Sequence, residues 1–281
     1  MRQWRRGKER APHKPLLVLL ALGDLNRGKG RLRSFAEIDK RLGQLLRRFG
    51  PPTKPSPQYP FVRLAGDLVW ETPGIEECRT RKSKTDPPRS ALLEANIEGG
   101  FPPDLHELLS KDRSLVTKIA EDLLERNFPQ SMHDEVLDAV GLADLSVRRK
   151  RRDPTFRPRV LLAYQERCAV CCLDTRLDGQ PILIEAAHIM WHNMGGPDEV
   201  ANGLALCVLH HKAFDRGAIG LTENHRVVVS AHAMGGERHE EALVQFHGAS
   251  LHGPLDDADL PLPEHIHWHN EQVFRGNPRP L

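Results

Sequence analysis

Leu206–Asp215 reads LCVLHHKAFD, with Cys207 three positions before His210 and His211 directly after it. Adjacent residues on a helix point roughly 100° apart, because one turn takes about 3.6 residues. The two histidines therefore face different centres, and the fold of this half of the chain turns on what those centres are. Cys207-x-x-His210 has a mate upstream in Cys168-x-x-Cys171. Thiolates and imidazole at this spacing suit a tetrahedral Zn²⁺, and four protein ligands leave no open position, so the pattern predicts a structural zinc site. Within CAVCC, Cys172 competes with Cys171; the commoner spacing favours Cys171.

Between the two pairs the chain runs EAAHIMWHNMGGPDEVANGLALCVLHHKAFD, from Glu185 to Asp215. This stretch resembles the HNH endonucleases of the ββα-metal type, through His188, Asn202 and His211 and the segments NGLALC and HHKAFD. The resemblance runs from about Arg167 to Leu221. It implies a strand that presents His188, a loop that carries Asn202 and a helix that presents His211 to a catalytic metal. By the same resemblance His188 is the general base, a role that a neutral imidazole fills well near pH 7. A divalent cation, Mg²⁺, Mn²⁺ or similar, would neutralise charge on the scissile phosphate and on the departing 3′ oxygen. His211 would be its ligand, with Asp215 one turn further along the helix as a second. Asn202 either binds that metal or orients the base.

The chain departs from the pattern at one place. Many relatives carry Asp or His directly before the first motif histidine as a metal ligand, and Ala187 stands there. Either His211 and Asp215 carry the ion with water and phosphate, or Glu185, His192 or Asn202 contributes.

Working outward, the 281 residues suggest two domains, with 39 % hydrophobic and 28 % charged residues. Five cysteines, an odd count with four near histidines, fit a metal site in a reducing compartment better than a disulfide framework. The longest apolar run, Pro15 to Leu22, is far shorter than the roughly 20 residues of a membrane span, so no membrane contact and a cytoplasmic location are expected. Charge is uneven. Residues 1–63 hold 16 Lys and Arg against 4 Asp and Glu, or +12, whereas the whole chain carries +2, which leaves −10 for the rest. A basic N-terminal region suits a polyanion such as DNA.

The first half reads as mostly helical. Leu16 to Leu25 forms one apolar helix, and Phe35, Ile38, Leu42, Leu45, Leu46 and Phe49 recur at helical spacing as a second. The Pro-rich stretch GPPTKPSPQYP breaks it, and FVRL and DLVWE around AGD resemble a small β hairpin. Asp112 caps a helix carrying Leu115, Ile119, Leu123 and Leu124, and another covers Met132 to Val140 and stops at Gly141. RRKRRDP, ending at Pro154, reads as a basic linker. The expected architecture is α+β: a mostly helical DNA-reading domain with a small β hairpin over residues 1–146, a linker over 147–153, and a zinc-stabilised ββα-metal domain over 154–281.

APHKPLLVLLALGDL, YPFVRL, NIEGGFPPDL and NFPQSMHDEVLDAVGL together resemble the sulfur-binding domain that precedes HNH modules in phosphorothioate-dependent restriction endonucleases. That resemblance spans about Arg10 to Leu142. It implies a shallow apolar cavity for the one sulfur that replaces a non-bridging phosphate oxygen. Pro60 and the ring of Tyr59 would wall it, and His13 and Lys14 would donate to the remaining charge. A further donor comes from Arg79, Arg81, Lys84 or Arg89, among which the sequence does not choose. The expected function is modification-dependent restriction: binding of phosphorothioated double-stranded DNA and hydrolysis of nearby phosphodiester bonds. A homodimer is expected, since one HNH site per chain must cut two strands. The alternatives are an HNH nuclease whose first domain reads methylated or unmodified DNA, and a catalytically silent zinc-stabilised DNA-binding protein.

Overall fold

In the computed structural model, which describes residues 11–78, 86–145 and 154–280, the apolar run is helix α1 (His13–Asn26). The chain divides into two units, Met1–Arg149 and Lys150–Leu281. In the first, α1 buries Leu16, Leu17, Val18, Leu19, Leu20 and Leu22 on every side, as a helix apolar all round must. β1 (Leu32–Ser34) leads into α2 (Phe35–Phe49), whose cap is Ser34, accepting from the Glu37 N–H. Phe35, Ile38, Leu42, Leu45, Leu46 and Phe49 are its buried stripe.

The hairpin expected around AGD does not form. Residues 58–63 are helix α3 (Gln58–Arg63), continued by a 3₁₀ turn over Leu64–Asp67. Pro60 stands in the first turn of α3, where its missing N–H leaves no helix bond unmade. Phe61 then reaches the Phe35 ring at 4.9 Å and Trp70 at 6.0 Å, a packing that a strand at this position would not give. Leu68 adopts a left-handed φ of 61° and reverses the chain, and only Glu71 bridges to a strand, at Gly100. The β pair of this unit joins segments distant in sequence.

After α4 (Arg89–Glu94), β2 (Glu98–Gly100) pairs antiparallel with β1, Leu32 opposite Gly100 and Ser34 opposite Glu98. Helices α5 (Pro103–Lys111), α6 (Arg113–Asn127) and α7 (His133–Val140) complete the unit. Asp112 caps α6 by accepting from the Leu115 N–H at 3.1 Å. Gly141 ends α7 at a φ of +87°, a conformation that costs a residue with a Cβ.

The second unit opens with α8 (Phe156–Ala163) and a two-residue hairpin, β3 (Arg176–Leu177) with β4 (Gln180–Pro181), turning at Asp178-Gly179. β5 (Ile184–His188) pairs antiparallel with β6 (Gly203–Cys207), from Ile184 opposite Cys207 to His188 opposite Gly203. α9 (Val208–Asp215) follows β6 at once, with Cys207 as its cap residue, and packs back on both strands. This ββα unit carries the chemistry. Phe156, Val160, Ile184, Ala187, Leu204, Leu206, Phe214 and Ile266 belong to the core around it.

β7 (Ile219–Leu221) pairs with β8 (Val227–Val229), and α10 (Glu237–Ala242) and α11 (Pro263–Gln272) follow. The tail runs over the unit: the N–H groups of His252, Leu255 and Leu262 donate to the carbonyls of Ala169, Ala163 and Ala201. Among the described residues no helix is long and apolar enough to cross a membrane. The basic linker and Arg79, Arg81 and Lys84 lie outside the described residues.

Candidate metal centre and nuclease site

Cys168 and Cys171 come from the turn after α8, where the Cys172 N–H donates to the Cys168 carbonyl at 2.9 Å. Cys207 and His210 come from the junction of β6 and α9. Their ligand atoms all lie within 4.8 Å of one another, and Cys172 is not among them. His210 turns Nδ1 toward the thiols, 3.1 Å from Cys207 Sγ and 3.5 Å from Cys168 Sγ. Its Nε2 donates to the Ala242 carbonyl at 3.0 Å, which leaves the lone pair on Nδ1, the arrangement a metal-ligating histidine needs. Hydrogen bonds from Cys171 and Cys207 hold the Cys168 thiol well below its ordinary range, and the same contacts push Cys171 up. Three thiols and one imidazole gathered this closely could hold a soft cation such as zinc.

His211 faces elsewhere. Its Nδ1 lies 2.6 Å from Glu185 Oε2 and its Nε2 lies 3.2 Å from Asp215 Oδ2. Burial works against a charged imidazole, but Asp215 and Glu185 outweigh it, and His211 is pushed up to about 10. The hydrogen bond from His211 holds Glu185 below the usual carboxylate range. Alternation along a strand puts residues i and i+2 on one face, so Glu185 shares a face with Ala187. Glu185 and Asp215 hold the two ring nitrogens of His211 from opposite sides, with Asp215 only 3 % exposed.

His188, at the end of β5, is buried and stacks on the Phe156 ring at 3.9 Å. Its Nε2 lies 2.7 Å from Asp198 Oδ1, a residue the sequence reading did not single out. His192 lies beside them, its Nε2 3.6 Å from Asp198 Oδ2.

Asn202 contacts backbone groups of its own loop. Its Oδ1 accepts from the Met190 N–H at 2.9 Å, and its Nδ2 donates to the carbonyls of Met190 and Pro197 at 3.0 and 2.9 Å. The amide is fully buried and is spent on clamping the loop between β5 and β6.

In the first unit α1 packs against α3, and Lys14 Nζ meets Asp67 Oδ2 at 2.6 Å, tying the start of α1 to the turn after α3. His13 is the first residue of α1. Tyr59 is 45 % exposed, with the Arg63 guanidinium 4.8 Å from its ring centre, while Pro60 is buried. Arg63 also went unread in the sequence; a strand would have set it roughly 13 Å from Tyr59, whereas one helical turn brings them together. The Arg89 guanidinium binds Asp39 of α2, with Nε 2.7 Å from Oδ1, and Arg63 Nε donates to Asp86 Oδ2 at 2.6 Å.

A family model for the ScoMcrA-like DNA sulfur-binding domain matches residues 1–145, just over half of the chain. The chain belongs to this family. A second model, for an HNH endonuclease, matches residues 168–222, so this sulfur-binding-domain protein is also a nuclease. Among solved structures, the sulfur-binding domain of ScoMcrA complexed with phosphorothioated DNA is 24 % identical over 52 % of this chain and 92 % of its own, with a TM-score of 0.47. The equivalent SprMcrA complex is 26 % identical over 52 % and 90 %, with a TM-score of 0.44. The modification-dependent TagI restriction endonuclease is 27 % identical over 47 % of this chain and 41 % of that longer one, with a TM-score of 0.33. Membership rests on the family models and not on these superpositions. No curated protein matches the chain.

Proposed function

We propose that this protein binds double-stranded DNA carrying a phosphorothioate and hydrolyses phosphodiester bonds nearby. The observation that carries the reading is the presence, in one chain, of a sulfur-binding-family unit and an HNH unit with His188 and His211 in place. Sulfur is larger, softer and less strongly hydrated than oxygen, so an exposed aromatic surface rewards it while a cation holds the remaining charge. Tyr59 supplies that surface, and His13, Lys14 and Arg63 supply the donors, with Lys14 exchanging Asp67 for the phosphorothioate. Arg79, Arg81, Lys84 and Arg89 remain candidates for the same role.

In the nuclease unit His188 is the general base that takes a proton from the attacking water. Glu185, His211 and Asp215 would hold the catalytic divalent ion, which when bound supplies positive charge for the scissile phosphate and the departing 3′ oxygen. Cys168, Cys171, Cys207 and His210 would hold zinc in a structural role. Thiols in such a cluster suit a reducing compartment, consistent with a cytoplasmic enzyme. Two copies, each contributing one HNH site, would cut both strands.

The test is a plasmid with phosphorothioates at defined sites, compared with the same plasmid carrying oxygen. Cleavage of the sulfur plasmid alone, in Mg²⁺ or Mn²⁺, is expected. Equal cleavage of both would overturn the sulfur dependence, and no cleavage of either across divalent metals would overturn the nuclease assignment.

A further inference from the structure

We infer that Asp198 is the positioning residue of the catalytic histidine: its carboxylate accepts a hydrogen bond from the Nε2–H of His188 and so fixes Nδ1 as the nitrogen that accepts a proton from water. This inference rests on the reading of His188 as general base.

The loop between β5 and β6 is built to deliver that carboxylate. Asn202 clamps the loop from inside through Met190 and Pro197, the residue directly before Asp198. At Gly196 the backbone passes so close to Met190 that an added Cβ would stand 1.9 Å from the Met190 oxygen and 2.8 Å from Asn202 Nδ2. Only glycine fits there. From outside, the Arg159 guanidinium donates to the Asp198 carbonyl at 2.7 Å. Phe156, three residues earlier and on the same side of α8, stacks flat on the His188 ring. One helix therefore holds both partners of the pair. With Asp198 Oδ1 2.7 Å from Nε2 and the His188 side chain only 4 % exposed, water screens the interaction little.

The chemistry follows from the tautomer. A neutral imidazole has one N–H and one lone pair, and a carboxylate on Nε2 makes that nitrogen the donor. The lone pair then lies on Nδ1, a buried atom that would take a proton from a water delivered with the DNA phosphate as hydroxide adds to phosphorus and the bond to the 3′ oxygen breaks. The 3′ oxygen takes a proton from solvent, and the imidazolium, stabilised meanwhile by Asp198, returns its own to solvent. The balance is one water consumed per bond cut.

The test compares His188→Ala, Asp198→Asn and Asp198→Glu in the full chain, with fold checked by thermal melting and zinc content. The amide of Asp198→Asn can donate to Nε2, which drives the ring proton to Nδ1 and removes the base. A loss of about 10³-fold or more in kcat is expected, with DNA affinity unchanged. Asp198→Glu should recover part of that loss. Imidazole ¹⁵N shifts of His188, assigned from the signal missing in His188→Gln, should show the Nε2–H tautomer in the wild type and a move toward Nδ1–H in Asp198→Asn. Asp198→Asn cutting within threefold of wild type while His188→Ala is dead would reduce Asp198 to a structural tie and end the proposal. If Asp198→Asn fails to fold, an Nδ1–H tautomer in the wild type has the same force. Wild-type cleavage by His188→Ala is a different result: it removes the base assignment itself.

Discussion

His210 and His211 are neighbours in the chain and serve different centres. His210 Nδ1 sits 3.1 Å from the sulfur of Cys207, whereas His211 Nδ1 sits 2.6 Å from the carboxylate of Glu185. Helical rotation between adjacent residues separates a sulfur-rich cluster from an oxygen-rich one, so a single turn of α9 organises both.

The two substitutions should therefore fail in opposite ways. His210→Ala is expected to lose tightly held zinc and to destabilise the second unit, because structural zinc contributes folding free energy directly. His211→Ala should keep its zinc and its melting temperature and lose cleavage. Elemental analysis of the two purified variants decides; zinc lost from His211→Ala and kept in His210→Ala would reverse the assignment.

The charged state of His211 predicts a proton linkage. In the metal-free protein the imidazole stays protonated until about pH 10, against an ordinary value of 6.5. A cation needs the lone pair, so binding must expel a proton, and affinity for Mn²⁺ should climb as pH rises toward 10. Calorimetry at pH 7 in buffers of different ionisation enthalpy should report close to one proton released per ion. The stability sign is the reverse. Without metal, the contribution of the raised His211 is fully present below pH 6.5, as long as Glu185 and Asp215 stay ionised, and is lost as pH rises through about 10. Glu185→Gln should weaken Mn²⁺ binding and leave zinc untouched; unchanged Mn²⁺ affinity would exclude Glu185 as a ligand.

What the sequence disclosed follows the range of each interaction. The stripe of α2, the cap at Asp112 and the Gly141 stop depend on residues within one or two turns, and local pattern shows them. The Cys168, Cys171, Cys207 and His210 cluster is legible because both halves have a fixed short spacing. Residues 61–71 read as strands because Phe, Val and Trp favour them, but Phe61 packing on Phe35 decides for a helix, and that contact is long-range. Arg63 and Asp198 were hidden for related reasons. The first needs the turn of α3 to reach Tyr59, and the second needs the Asn202 clamp to bring a loop carboxylate onto His188. Asn202 itself was recognisable as a motif residue, whereas its hydrogen bonds to the backbone of Met190 and Pro197 were not.

Basic residues near the reading face should act on all DNA alike. Lys14→Ala and Arg63→Gln are each expected to weaken both sulfur and oxygen duplexes and to lower the salt slope of binding by about 1, since each removes one phosphate contact. Titrations at three salt concentrations measure this directly. A substitution that changes affinity for the sulfur duplex alone would move that residue from charge neutralisation to sulfur recognition.

Sulfur preference itself should reside in Tyr59. Pro60 is a poor probe, because it is buried within the first turn of α3 and a polar replacement there would disturb the packing of Phe61. Tyr59 is 45 % exposed, so Tyr59→Ala leaves the core intact and removes only the ring that Arg63 covers. In the full chain the wild type should bind a duplex with one phosphorothioate at least about tenfold more tightly than its oxygen counterpart, or about 1.4 kcal/mol. One of the two stereoisomers should account for that gain, because a fixed wall meets only one non-bridging position. Both duplexes carry the same charge, so raising salt should weaken them in parallel and hold their ratio nearly constant. Tyr59→Ala should collapse the ratio toward one while keeping the oxygen duplex within a few-fold of wild type. Retention of the full preference in a folded Tyr59→Ala protein would place the sulfur against another surface.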